Sequence, residues 1–353
     1  MSRFTRFAAL ALAASGLTLA GCSDNGDQAA NSDAEQATTT LNVYSARKED
    51  LIAPLLDRFT GETGIEVKLL TADAGALLSR LESEGRNTPA DLLITVDAGN
   101  LHRAKEAGVL QAIESETLTE RVPANLRDVD NQWFGLSQRA RVIFAHRERV
   151  EDGAITSYAD LADPKFKGRI CIRSSDNIYN QSLVASLIAA NGEEWTQEWA
   201  EGLVANLARK PQGGDRDQIR AVAAGECDIA VANTYYYGAM QNGSDTDRQA
   251  ADAVRLVWPN QGDRGAHVNV SGAGMVAASD KAQAVTELLE FLTTEASQEW
   301  YAQVNNEFPV RPGVPASDTL AQWGDFKADD LNLSKLGELN PDAVRLMDRA
   351  GWQ

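Results

Sequence analysis

Ala90-Asp91-Leu92-Leu93-Ile94-Thr95-Val96 is a nearly unbroken apolar run. It is short enough for a strand and lacks the alternation of a half-solvated one, so it suits the middle of a parallel sheet buried on both faces. Working outward, Gly75 to Glu84 before it reads as a helix and Ile65 to Leu70 as a strand. Gly61 to Gly64 ends an earlier helix, Asp50 to Phe59, which places Ile52, Leu55, Leu56 and Phe59 on one face. Leu41 to Tyr44 is the first strand, and Leu101 to Gly108 is the helix after the central run. This βαβαβ succession predicts an α/β domain with helices on both faces of its sheet.

A second set of the same kind follows. Arg139 to Ala145 reads as a long strand leaving the first domain, followed by a strand at Gly168 to Ile172 and helices at Ser182 to Ala190 and Trp195 to Asn206. A Pro211 to Arg216 turn, a Gln218 to Ala224 helix and an Asp228 to Ala232 strand come next. Gly265 to Ala277 alternates as a strand that returns to the first domain, and helices at Lys281 to Thr293 and Ala296 to Gln303 precede a tail ending near Trp352. The expected fold is therefore an α/β two-lobe clamshell with crossing hinge strands. Residues 41–140 and 266–317 would form the N-lobe, and 141–265 and 318–353 the C-lobe. Ligands of open α/β sheets sit at the carboxyl ends of the strands, here the cleft between lobes.

The start of the chain reads as an export signal over residues 1–21: Arg3 and Arg6, then an apolar Phe7 to Ala20 stretch too short to span a bilayer comfortably. Leu19-Ala-Gly-Cys22 is similar to the bacterial lipoprotein signal, in which the cysteine is lipidated; the plainer reading is a secretory signal with a chance cysteine. Residues 22–40 are small and polar and form a flexible tether. The formal net charge of −18 argues against nucleic acid and anionic lipid as partners and is compatible with a cationic ligand.

Tyr235, Tyr236 and Tyr237 stand in a row, in a chain with only 7 tyrosines. At a strand-to-helix turn two neighbouring phenols can converge, and paired phenolates make a hard oxygen site of the kind Fe(III) prefers. An aromatic plug in a core is the plain alternative. Cys171 and Cys227 each lie eight residues before a tyrosine, Tyr179 and Tyr235. If both lie on neighbouring strands they pair as a disulfide; otherwise they pack as buried thiols. His102, His146 and His267 are scattered and read as surface or packing residues, and Ser271-Gly-Ala-Gly274 as strand-end geometry rather than a phosphate loop. The Gln212 to Arg216 stretch reads as a Gly-Gly turn capped by Asp215 ahead of the Gln218 helix, with a role in the cleft as the alternative.

Several strings carry a resemblance: Asn42-Val-Tyr-Ser-Ala-Arg47, Asn131-Gln-Trp-Phe-Gly-Leu136, Gly168-Arg-Ile-Cys-Ile-Arg173, Asn206-Leu-Ala-Arg-Lys-Pro-Gln-Gly-Gly-Asp-Arg216 and Asn233-Thr-Tyr-Tyr-Tyr-Gly238. With them the chain resembles the periplasmic ferric-ion-binding proteins, the non-enzymatic substrate-binding components of iron ABC transporters, over essentially everything after the tether. The resemblance implies that Tyr179, Tyr235 and Tyr236 bind Fe(III), leaving Tyr237 to pack. It also implies a monomer that meets an inner-membrane ABC permease in the periplasm and touches the membrane only through a lipid anchor. Where many members carry a His, Tyr or Glu ligand, this chain has Tyr44-Ser-Ala-Arg-Lys-Glu-Asp50. Either Glu49 substitutes, or the chain resembles the branch that uses three tyrosines and a carbonate anion, with Arg47, Arg139 and Arg141 holding the anion; the second is preferred. Arginine suits a planar oxyanion because its fork gives two parallel hydrogen bonds, although in so acidic a chain any one arginine can instead serve a structural ion pair. Two competing readings are a binding protein for an organic or oxyanion solute, held by the same arginines and tyrosines, and an enzyme with an activated tyrosine. No Ser-His-Asp set, zinc motif or nucleotide fingerprint supports the last.

Overall fold

The structure, a computed structural model, describes residues 39–353. The expected export signal, Cys22 and nearly all of the tether lie outside the described residues. Among the described residues, nine strands form the scaffold: β1 Thr40–Ser45, β2 Glu66–Thr71, β3 Leu92–Val96, β4 Leu110–Gln111, β5 Phe134–His146, β6 Ile170–Cys171, β7 Ile229–Asn233, β8 Val254–Val257 and β9 Val268–Val276. Their order is β2-β1-β3-β9-β5-β7-β6, with β4 added beside β9 and β8 beside β5. β1 pairs in parallel with β2 and β3, as the βαβ pattern predicts. The other neighbour of the apolar β3 is the antiparallel β9, so the sheet is mixed rather than wholly parallel.

β5 belongs to both halves of the scaffold. Phe134 to Ala140 pairs with β9, whereas Arg141 to Ala145 pairs with β7, and Ile143 to His146 also pairs with β8. Its thirteen residues are almost all buried, which explains why the sequence there shows no polar alternation. The glycines of Ser271-Gly-Ala-Gly274 lie inside β9 and not at its end. A Cβ on Gly274 would come within 2.5 Å of the Gln132 carbonyl oxygen, so close backbone approach, and not a phosphate, accounts for the motif.

Several helices begin earlier or later than their periodicity suggests. The helix expected from Ser182 spans Ile178–Asn191, and the one expected from Gln218 spans Asp215–Ala224. The helix expected from Asp50 begins only at Ala53, with Pro54 in its first turn, after a short 3-10 turn at Glu49–Leu51. The tyrosine run occupies the first turn of helix Thr234–Gln241, directly after β7.

Cys171, at the end of β6, and Cys227, just before β7, are joined in a disulfide with Cα atoms 5.9 Å apart. β6 and β7 are parallel neighbours, so the bridge ties together the two strands that feed Tyr179 and Tyr235. The tail also braces this region. Helix Asn340–Arg349 packs on Ile178–Asn191 and Glu193–Ala205, and buried Trp352 donates Nε1–H to the Arg173 carbonyl at 2.9 Å.

Candidate metal centre

Two helix N-termini meet at the site. Tyr235 and Tyr236 stand in the first turn of Thr234–Gln241, and Tyr179 in the first turn of Ile178–Asn191. Successive helical residues turn by about 100°, so Tyr237 is carried away into the core. There it is buried against Phe144, with ring centroids 5.0 Å apart. The Tyr235 hydroxyl donates to the Tyr179 hydroxyl at 3.2 Å, and the Tyr235 and Tyr236 rings lie 4.2 Å apart. The three expected tyrosines are thus brought together, and the unpaired N–H groups of both helix starts favour negative charge on them.

The phenols line a cleft of about 520 Å³, together with Arg47, Arg173 and Glu307. Burial pushes Tyr179 and Tyr235 well above the ordinary tyrosine range, and neighbouring tyrosines push the same way: Tyr236 on Tyr179, and Tyr179 and Tyr236 on Tyr235. The Arg139 guanidinium opposes the rise at both. Without a metal these two phenols are protonated at neutral pH. A trivalent cation reverses that preference by coordinating the phenolates and expelling their protons.

The arginines divide into different jobs. Arg139 is buried with its Cζ 5.7 Å from the Tyr179 ring centroid. One of its nitrogens donates to Ser271 Oγ at 3.2 Å, while Nε and Nη2 have no partner. Arg141 donates to Asn180 Oδ1 at 2.6 Å, to Asn233 Oδ1 at 2.9 Å and to Asp215 at 3.1 Å. It therefore braces the residue after Tyr179 to the residue at the end of β7, behind the tyrosines. Arg47 pairs with Glu307 at 2.8 Å, with both side chains almost fully buried. Burial works to lower its pKa, but the Glu307 carboxylate, with smaller contributions from Tyr301 and Tyr235, more than offsets that, and the net direction is up. Glu49 lies on the exposed 3-10 turn and does not line the cleft.

Three participants were not picked out from the sequence. Arg173 lines the cleft with its Cζ 5.8 Å from the Tyr179 ring, although in the sequence it is simply the last residue of the Gly168 to Arg173 string. Asp215 looked like a cap. In the structure Asp217 takes that role by accepting the Gly214 N–H at 2.7 Å. Asp215 is instead buried, bridging Arg141 and Arg173 and accepting the Asn233 N–H at 2.8 Å. Glu307 comes from a polar loop with no periodicity to mark it. Among the described residues, no group of three or more His, Cys, Asp or Glu side chains is placed to hold a metal, so a metal reading rests on the tyrosines.

With this fold and site in view, the comparisons with known proteins are specific. Residues 87–327 match the family model of bacterial extracellular solute-binding proteins, and the chain belongs to that family. It is 47% identical over 314 residues to iron uptake protein A1 of Synechocystis sp., covering 89% of this chain and 87% of that one. It is 28% identical over 352 residues to the Fe(3+)-binding periplasmic protein of Serratia marcescens, covering 99% and 98%. Among solved structures, Trichodesmium FutA in complex with iron and citrate superposes with a TM-score of 0.87 at 47% identity, over 89% of this chain and all of that one. Mannheimia haemolytica ferric iron-binding protein A in an open conformation gives 0.85 at 41% identity, over 89% and 99%. The fold is that of a periplasmic binding protein.

Proposed function

We propose that this protein captures ferric iron in the cleft through Tyr179, Tyr235 and Tyr236 and delivers it to an inner-membrane ABC importer. The observation that carries this reading is the convergence of the three phenols at two helix N-termini, with Tyr235 and Tyr179 hydroxyls 3.2 Å apart. Three phenolates neutralise Fe(III) and fill about half of an octahedral shell. A carbonate anion completes it, drawn by the guanidinium groups of Arg47 and Arg139, while Arg141 holds the tyrosine-bearing segments in register. The iron-named relatives and the FutA complex with iron and citrate support the cargo.

In this reading residues 41–140 and 266–317 move against 141–265 and 318–353 about β5 and β9, and closure gives the importer a shape to recognise. The protein acts as a monomer in the periplasm, held to the membrane by acyl chains on Cys22. The deciding experiment is a visible spectrum of the ferric-loaded protein, with and without bicarbonate. An orange-red phenolate-to-iron band is expected, shifted by bicarbonate. A folded protein that shows no band in excess ferric iron refutes tyrosine ligation and leaves the organic-solute reading.

A further inference from the structure

Arg47 is not free to receive an anion. Its Nη2 donates to Glu307 Oε2 at 2.8 Å, and Ser137 Oγ donates to the same oxygen at 2.8 Å. Arg47 Nη1 reaches Ser137 Oγ at 3.3 Å, which closes a small buried ring of contacts. The other carboxylate oxygen, Oε1, is met only by Ser271 Oγ at 3.5 Å, and Arg47 Nε has no partner. The pair is therefore single-pronged, not the two-bond fork of which guanidinium and carboxylate are capable. Both groups line the iron cleft together with Tyr235. The loop bearing Glu307 also touches the tyrosine helix, because Asn306 fills the space in front of Gly238.

We propose that Glu307 is a built-in competitor for the anion, occupying Arg47 until an exogenous oxyanion displaces it. This rests on the anion reading above. A planar dianion offers Arg47 two parallel hydrogen bonds where Glu307 makes one. The displaced carboxylate keeps the Ser137 and Ser271 hydroxyls as partners, so it is not left unsatisfied. Glu307 therefore sets the bicarbonate concentration at which the iron site is completed, and keeps smaller or singly charged anions off Arg47.

The test is a bicarbonate titration of the ferric-loaded full-length protein, followed by its charge-transfer band, in wild type and Glu307→Gln. The variant keeps the shape and a hydrogen-bonding oxygen but removes the competing charge. Close buried charge pairs couple strongly enough that the half-maximal bicarbonate concentration should fall by about tenfold or more. Glu307→Asp, whose carboxylate is one methylene shorter and reaches Arg47 less well, should shift it in the same direction by less, and serves if Glu307→Gln does not fold. A response confined to the variant supports the competition in its strongest form. An unchanged or higher concentration, with a wild-type response intact, overturns the competition and leaves the anion reading standing. No bicarbonate response in either protein refutes the anion reading, and the competition with it.

Discussion

Lowering the pH should weaken iron binding steeply, because the ligands must lose protons that the metal-free site holds firmly. A free tyrosine titrates near 10, and burial lifts Tyr179 and Tyr235 above that, with neighbouring tyrosines adding to the rise and Arg139 opposing it. At neutral pH both are therefore fully protonated before metal arrives, and each Fe(III) bound as a phenolate complex must release at least these two protons. The binding constant then rises with pH, by about tenfold per unit for each proton released. Two protons make about 100-fold per unit, or about 2.7 kcal/mol at 1.36 kcal/mol per pKa unit. Dropping from about pH 7.5 to about 6.5 should cost that much affinity, after correction for ferric hydrolysis and for protonation of the competing chelator. The assay is chelator competition followed at the charge-transfer band, with an independent proton count by indicator dye in weak buffer. A corrected slope of one proton or fewer would sink the reasoning, since at least one of the two phenols would then not be a ligand.

Three further expectations are more local. Tyr235→Phe removes one iron oxygen while the Tyr235 ring keeps its 4.2 Å packing on Tyr236. Iron affinity should fall by more than about 100-fold, because even outer-shell partners of metal ligands are worth about 10–100-fold. Wild-type affinity in a folded variant would take Tyr235 off the ligand set. Asp215→Asn leaves the Arg141 and Arg173 guanidinium groups without their shared carboxylate. Breaking such a buried pair costs about 3–5 kcal/mol, and a denaturant melt showing under about 1 kcal/mol would count against the brace. Cys171→Ala with Cys227→Ala opens a bridge spanning 56 residues, worth about 4 kcal/mol in the chain-entropy model. Melts of the two proteins under oxidising conditions that coincide would show that the bridge contributes nothing.

How much could be read from the sequence depended on whether the signal was local. β1, β2, β3 and β9 announce themselves because each is an apolar or alternating run bounded by turn residues. β8 does not, because Val254–Val257 is short and carries Arg255. The tyrosines were legible as a rare run, but which two of the three face the cleft came only from the resemblance, because an equal turn of about 100° per residue selects no pair by itself. Glu307 left no trace, because its partner Arg47 is 260 residues away and nothing near either residue signals the pair. Asp215 misled for the same reason: two glycines before it give the local look of a helix cap, whereas its carboxylate is committed to Arg141, 74 residues distant. Caps are written in neighbouring residues; buried charge pairs are written in the tertiary fold.

The distribution of buried charge gives the proposed anion its physical basis. The chain as a whole carries −18, yet the region around the tyrosines holds Arg47, Arg139, Arg141 and Arg173, all buried or partly so. Against them stand Asp215, Glu307 and Asp97, and burial raises the Asp97 pKa while Arg139 and three hydrogen bonds oppose the rise. Even with Asp97 ionised, four guanidinium groups face three carboxylates. While the phenols are protonated this surplus lies beside neutral groups, where it helps to draw protons off Tyr179 and Tyr235. Loading does not remove it, because three phenolates are fully matched by the three charges of the iron. A buried positive charge that neither the empty nor the ferric-loaded site balances is costly in a poorly solvated environment. An oxyanion entering with the metal offsets it, and unpartnered nitrogens remain to meet one: Nε of Arg47 and of Arg173 on the cleft, and Nε and Nη2 of Arg139 in a separate small cavity beside Tyr179.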